Sequence, residues 1–322
     1  MKSVLPPLNS VPTQQDIEQT HEAIRPYINK TPLLVSSTLN ELLGAQVFFK
    51  CENFQKVGAF KFRGACSAVL RLSPKELLQG VAAHSSGNHA QAVALAGKTF
   101  GAQATIVMPK GAPEVKKNAT AHYGAKIVEC GNTIESREET IKSQVEKSGA
   151  TEIHPYNSYP VIAGQATCAK ELVEEQNVDF ILAPIGGGGL IAGTCLSAKY
   201  FSTAKVIGCE PEEVNEAFQS WMSGVMQKNT TTNTLADGLR TNIGEKNFEI
   251  IQREIHDIFC VSEKEIIEAT QWVWERMKLI IEPSSAVPVA ALLKHKERFK
   301  GKRVGIVLTG GNVNIPEISK HF

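Results

Sequence analysis

Four consecutive glycines, Gly186–Gly189, follow the apolar run Phe180-Ile-Leu-Ala-Pro-Ile and precede helical periodicity from Leu190 to about Tyr200. Glycine loses more backbone entropy on ordering than any other residue, so four in a row need a reason beyond a tight turn. Without Cβ atoms, successive N–H groups can face one anion at a helix N-terminus, where the helix field favours negative charge. A strand, a glycine turn and a helix in that order predict an α/β sheet with a phosphate held at the turn.

The rest of the chain follows that pattern. Apolar runs at Ala45–Lys50, Val81–Ala83, Ala104–Met108, Lys126–Glu129, Phe180–Ala183, Lys205–Cys209 and Arg303–Leu308 read as strands, with helical stretches between them as crossovers. Asn88–Phe100 is alanine-rich and closed by Gly101. Glu263–Lys278 starts behind Ser262 with Glu265 three residues later, a capping box. Residues 73–156 contain strand-helix-strand units of their own and read as a small domain inserted into a large one formed by 1–72 and 157–322. The polar stretch Thr230–Thr234 reads as an exposed loop.

Composition narrows the function. The chain has 322 residues, 42% hydrophobic and 21% charged, and 34 basic against 33 acidic side chains leave no basic face for a nucleic acid. Cys51, Cys66, Cys130, Cys168, Cys195, Cys209 and Cys260 never fall in a C-x-x-C spacing and read as buried free thiols, not as zinc ligands or disulfides. Met1–Gln15 has no signal-peptide pattern, and no run of about 18 apolar residues occurs, so a cytoplasmic protein without membrane contact is expected.

Two readings of the phosphate stay open on motifs alone. Gly187-x-Gly189-x-x-Ala192, with Glu210 ending the next strand, fits a dinucleotide fingerprint and an NAD-dependent dehydrogenase. No G-x-x-x-x-G-K-[ST] loop is present. The other reading starts from Gly58-Ala-Phe-Lys61-Phe-Arg-Gly64, where a lysine sits among aromatic and small residues. Desolvation disfavours the ammonium, and the neutral amine is the nucleophile that attacks carbonyls. By spacing alone, Lys61 is more often a solvated surface residue.

Taken with Ser85-Ser86-Gly87-Asn88-His89, Gly186–Gly189, Glu282-Pro283 and Leu308-Thr309-Gly310-Gly311-Asn312, the lysine segment resembles the serine/threonine dehydratase and serine racemase group of pyridoxal phosphate (PLP) enzymes. The order of these segments matches the family over nearly the whole chain. Trp274-Glu-Arg-Met-Lys-Leu-Ile-Ile-Glu-Pro-Ser-Ser285 and Ala236-Asp-Gly238 look most like the eukaryotic serine racemases, with hydroxyaspartate dehydratases next.

The resemblance implies a tryptophan-synthase β-like fold (PLP fold type II), with two open, twisted α/β domains, the cofactor between them and the small domain gating the substrate. It implies serine racemisation with β-elimination to pyruvate and ammonia as a side reaction. The alternative is L-threonine/serine or threo-3-hydroxyaspartate dehydration without racemisation. Lys61 would hold the cofactor aldehyde, Phe60 pack on its ring, Asn88 bond its hydroxyl, Gly186, Gly187, Gly188 and Gly189 take its phosphate, and Thr309 meet the ring nitrogen. Family members place a serine where Thr309 stands.

Ser85, Ser86, Gly87, Asn88 and His89 would bind substrate, with Lys61 and Ser86 as opposed acid/base groups. If Ser86 were only a helix cap, one face would be left unserved. Glu210, Glu216 and the Val214 carbonyl resemble a site for Mg²⁺, Ca²⁺ or Mn²⁺, with Glu216 in place of the usual aspartate. Ser36, Ser37, Thr38, Lys56, Gln91 and Tyr123 match an ATP effector site, which implies a homodimer. In His154-Pro-Tyr156-Asn157 the tyrosine departs from the mammalian racemase pattern, which has asparagine there, and bears on the choice between reprotonation and elimination.

Overall fold

The structure, a computed structural model, describes residues 5–112 and 114–322. Its ten strands among these residues are β1 (Leu33–Leu34), β2 (Gln46–Cys51), β3 (Val81–His84), β4 (Ala104–Pro109), β5 (Lys126–Cys130), β6 (Thr151–Glu152), β7 (Phe180–Pro184), β8 (Lys205–Pro211), β9 (Asp257–Val261) and β10 (Arg303–Leu308). They form two sheets in two compact units.

One unit comprises Asn29–Phe60 and Gln165–Phe322. Its sheet runs β1-β2-β10-β7-β8-β9, with only β1 antiparallel. A parallel sheet covered on both faces needs apolar side chains on both, which is why β7 and β10 read as unbroken apolar runs, buried over 181–184 and 304–308. Helix Pro283–Lys294 packs on this sheet, and helix Gly189–Phe201 follows β7 directly. Because the strands run parallel, the segments after β2, β7, β8 and β10 all leave the sheet at its carboxyl edge, where ligands of open α/β sheets bind.

The other unit comprises the chain up to Ile28 and Lys61–Gly164, around the parallel sheet β5-β4-β3-β6. The division therefore differs from the insertion expected at 73–156. Helix Lys61–Val69 packs against helix Asn88–Phe100, and Arg71 Nη2 donates to Thr20 Oγ1 at 2.8 Å, tying helix Gln14–Ile24 to the same core. Burial of these apolar helix faces, not chain continuity, assigns them to the smaller sheet.

The capping box at Ser262 and Glu265 forms, but the α-helix ends at Trp272. A wide turn over Val273–Met277 and a left-handed Lys278 (φ 59°) replace the expected helical run to Lys278. All seven cysteines are free thiols, six of them buried and Cys260 partly exposed. No helix among the described residues is long and apolar enough to cross a membrane.

Candidate active site

The glycine run sits at the carboxyl edge after β7. Gly188 is left-handed (φ 89°) and caps helix Gly189–Phe201. A Cβ there would lie 2.8 Å from Asn247 Cβ, and one on Gly186 would lie 2.9 Å from Gly238 O. Both positions are closed to side chains. Asn247 Nδ2 and Gly244 N donate to Gly187 O at 2.6 and 3.1 Å and fix the turn from behind. Among the described residues, the N–H groups of Gly187, Gly188 and Gly189 form no hydrogen bond. Three donors at the positive end of a helix fit a phosphate.

The adjacent strand β10 delivers Thr309, 3% exposed, to the same edge. Phe60 N donates to Thr309 O at 3.0 Å and Gly311 N to Gly58 O at 3.0 Å, so half-buried Phe60 is held beside Thr309. Ser285 Oγ lies 2.9 Å from Thr309 Oγ1. Ser284 Oγ accepts from Gly238 N at 3.1 Å, and Gly238 in turn abuts Gly186. Asn247, Ser284 and Ser285 thus brace the site although no motif assigned them a role. Only contacts 24 to 60 residues away in sequence reveal them.

After β8 the edge changes character. Glu210 and Glu216 are each 1% exposed. Glu210 accepts from Ala217 N (3.3 Å) and Phe218 N (2.8 Å), and Glu216 Oε1 accepts from Ile243 N (2.8 Å). Glu216 Oε2 has no hydrogen-bond partner among the described residues. Burial, then the charge of Glu216, push the Glu210 carboxyl well above the carboxylate range, and burial lifts Glu216 to about 7. Neither forms an ion pair among the described residues. Two adjacent buried carboxylates with an unpartnered oxygen fit a divalent cation, although no cluster of three or more His, Cys, Asp or Glu occurs there among the described residues. The same burial removes Glu210 from the role of ribose acceptor that a dinucleotide site would require.

In the other unit, Lys61 opens helix Lys61–Val69 and is half-buried beside fully buried Phe62. Its Nζ donates to Pro155 O at 3.0 Å. Ser85, Ser86 and Gly87 link β3 to helix Asn88–Phe100, with Gly87 as the cap residue and no side-chain cap bond. Ser85 Oγ accepts from Gly87 N at 3.2 Å. The Ser86 hydroxyl makes no hydrogen bond among the described residues, so it is not the helix cap.

His89 is committed elsewhere. Its ring, 4% exposed, donates from Nε2 to Ile153 O at 2.7 Å. Burial first and the charge of Lys61 second push it down to about 3, so it is neutral. His154 Nδ1 accepts from Tyr156 N (3.2 Å) and Asn157 N (2.8 Å), which folds the segment around the carbonyl that Lys61 meets.

The residues matched to a nucleotide lie on four different segments. Ser36 caps helix Ser37–Leu43, accepting from Leu39 N at 3.3 Å, with Ser37 and Thr38 exposed in the first turn. Lys56 lies in a 3₁₀ turn, Gln91 is buried in helix Asn88–Phe100 and Tyr123 follows helix Glu114–His122.

Residues 24–310 match the family model described as pyridoxal-phosphate dependent enzyme, and the chain belongs to that family. A serine racemase of Dictyostelium discoideum is 46% identical over 314 residues, 96% of this chain and 97% of that protein. Its crystal structure superimposes with a TM-score of 0.90 over 94% of this chain and 99% of that chain. A beta-hydroxyaspartate dehydratase of Paracoccus denitrificans is 44% identical over 310 residues, 96% of this chain and 98% of that protein. The fold is that of the PLP-dependent serine racemase and threonine deaminase structures, and an NAD-dependent dehydrogenase is set aside.

Proposed function

We propose that the protein is a PLP-dependent serine racemase that interconverts L- and D-serine, with elimination to pyruvate and ammonia as a side activity. The observation that carries this reading is Ser86, whose hydroxyl sits at the N-terminal end of helix Asn88–Phe100 without serving as its cap. A racemase needs a second proton donor on the face opposite its lysine, and an uncommitted hydroxyl fills that need.

In this reading Lys61 binds the cofactor aldehyde, Gly186–Gly189 hold the phosphate through main-chain N–H groups, Phe60 orients the ring, Asn88 bonds its hydroxyl and Thr309 meets its nitrogen. The cofactor supplies an electron sink that acidifies the substrate Cα–H. The N–H groups opening helix Asn88–Phe100 orient the substrate carboxylate. Lys61 Nζ removes the Cα proton on one face and Ser86 Oγ delivers one on the other. When the β-hydroxyl leaves before a proton returns, hydrolysis yields pyruvate and ammonia. His89 acts through its main chain, since its ring is engaged with Ile153 O.

Glu210, Glu216 and the Val214 carbonyl are the proposed divalent-cation ligands, supported by the unpartnered Glu216 Oε2. The homodimer and the ATP site at Ser36, Ser37, Thr38, Lys56, Gln91 and Tyr123 are proposed from the family resemblance. Sedimentation with and without ATP tests both.

The second reading, a hydroxyaspartate dehydratase, is favoured by the Paracoccus relative at nearly equal identity and by Tyr156. Incubation with L-serine or L-threo-3-hydroxyaspartate, assaying D-serine, pyruvate and ammonia, separates the two. D-serine formation that falls about a hundredfold or more in Ser86→Ala is expected. Ammonia from hydroxyaspartate with no D-serine from serine would overturn the first reading in favour of the second.

A further inference from the structure

Val57 is one of two non-glycine residues with a positive φ among the described residues, and it lies four positions before Lys61. Its φ and ψ are 57° and 14°, in a turn closed by Gly58 N donating to Gln55 O at 2.8 Å. A turn with positive φ at its third residue is ordinarily given glycine or asparagine, and a β-branched side chain is strained there. Strain of this kind persists only where surrounding contacts over-determine the backbone. A contact that fixes it comes from Asn312, whose Nδ2 donates to Val57 O at 2.6 Å. A Cβ on Gly58 would lie 2.9 Å from Asn312 Oδ1, so the glycine leaves room for the amide to reach that carbonyl. Rotation of Val57 to a negative φ would swing its carbonyl away from Asn312.

The residues after the turn depend on it. Gly311 N donates to Gly58 O and Phe60 N to Thr309 O, each at 3.0 Å, and Ala59 forms a β-bridge with Gly310. Residues 58–60 are thus paired with 309–311, the segment that Asn312 continues. We propose that Asn312 is a positioning residue, whose amide locks Val57 in the left-handed conformation and thereby sets Phe60 at the face of the cofactor ring. This rests on the reading that Phe60 orients that ring. The lock has its own energetic signature. Valine at positive φ needs the clamp, whereas glycine adopts that conformation without it. The need for Asn312 therefore vanishes in Val57→Gly, while a side chain that only filled space would be needed in either background.

Full-length wild type, Asn312→Ala, Val57→Gly and the double variant are titrated with PLP in nucleotide-free buffer, reading absorbance for affinity and the circular dichroism of the bound cofactor for ring orientation. Asn312→Ala is expected to bind PLP about tenfold more weakly, the equivalent of one lost hydrogen bond, with a reduced cofactor band. Val57→Gly alone should stay within about twofold of wild type. The double variant should return to within about threefold, with the band restored. Asn312→Leu keeps the side-chain outline without the donor and carries the test, with and without Val57→Gly, if Asn312→Ala fails to fold. Affinity and band equal to wild type in Asn312→Ala, or a double variant no better than Asn312→Ala, would overturn the inference while leaving the cofactor assignment intact. Failure of wild type to take up PLP would overturn both.

Discussion

At the carboxyl edge of the six-stranded sheet, the segments after β7 and β10 end in neutral groups: main-chain N–H donors of Gly187–Gly189 and the Thr309 hydroxyl, braced by Asn247, Ser284 and Ser285. One strand over, after β8, the edge ends in two buried carboxylates, one with an unpartnered oxygen. The first arrangement costs little to hold without a ligand, because neutral donors in a first helical turn are ordinarily unpaired within the helix. The second is frustrated, since ionising two adjacent buried carboxylates is unfavourable until a cation joins them. Similar strand ends thus produce a rigid cradle in one place and a frustrated pair of buried carboxyl groups in the other.

If the cradle is rigid, intruding on it should be the most damaging change. Gly188→Val places a side chain at φ 89° and a Cβ 2.8 Å from Asn247. Cofactor affinity is expected to fall about a hundredfold or more, read by absorbance titration with PLP. An unchanged affinity would remove the distinction between the two ends.

If the carboxylate pair is frustrated, relieving it should stabilise the cation-free protein. Glu216→Gln is expected to raise the melting temperature by about 2–4 °C at pH 8 and to abolish the rise that Mg²⁺ or Ca²⁺ gives the wild type. The sign follows from Glu216 binding its proton more tightly when folded. Its contribution is complete below the ordinary carboxyl value of 4.5 and is lost as pH rises through about 7. Destabilisation by Glu216→Gln in cation-free buffer would show that the pair is satisfied without metal.

His89 tests whether neutrality also governs the other unit. Held down to about 3 in the fold against 6.5 when unfolded, it contributes stability that is present above pH 6.5 and lost as pH falls toward 3. His89→Gln should flatten that acid limb, measured as urea midpoints from pH 7 to 4. An unaltered limb would mean that His89 charges within the fold.

Most of the seven strands visible in the sequence were legible because burial makes them apolar runs with breakers at their ends, whereas the edge strand β5, exposed at Lys126 and Glu129, was legible from its Ile127-Val128 pair between Gly124 and Gly131. β9 was not, since Asp257–Val261 follows a helix ending at Glu254 with neither glycine nor proline between. β1 and β6, two residues each, exist only through pairing with β2 and β3. The glycine loop and Lys61 could be found because their chemistry restricts residue type. Ser285 could not, since its contacts are to Thr309 and Gly310, 24 and 25 positions away. The division of the chain was hidden for a related reason: helix Lys61–Val69 joins the smaller unit by packing on helix Asn88–Phe100, which no local pattern marks.

The assignment of Lys61 is tested most directly by borohydride reduction of the PLP-loaded protein followed by peptide mapping. The cofactor mass is expected on the peptide containing Lys61 and should be absent from Lys61→Ala treated in the same way. Stoichiometric labelling of another lysine, or equal labelling of the Lys61→Ala variant, would contradict it.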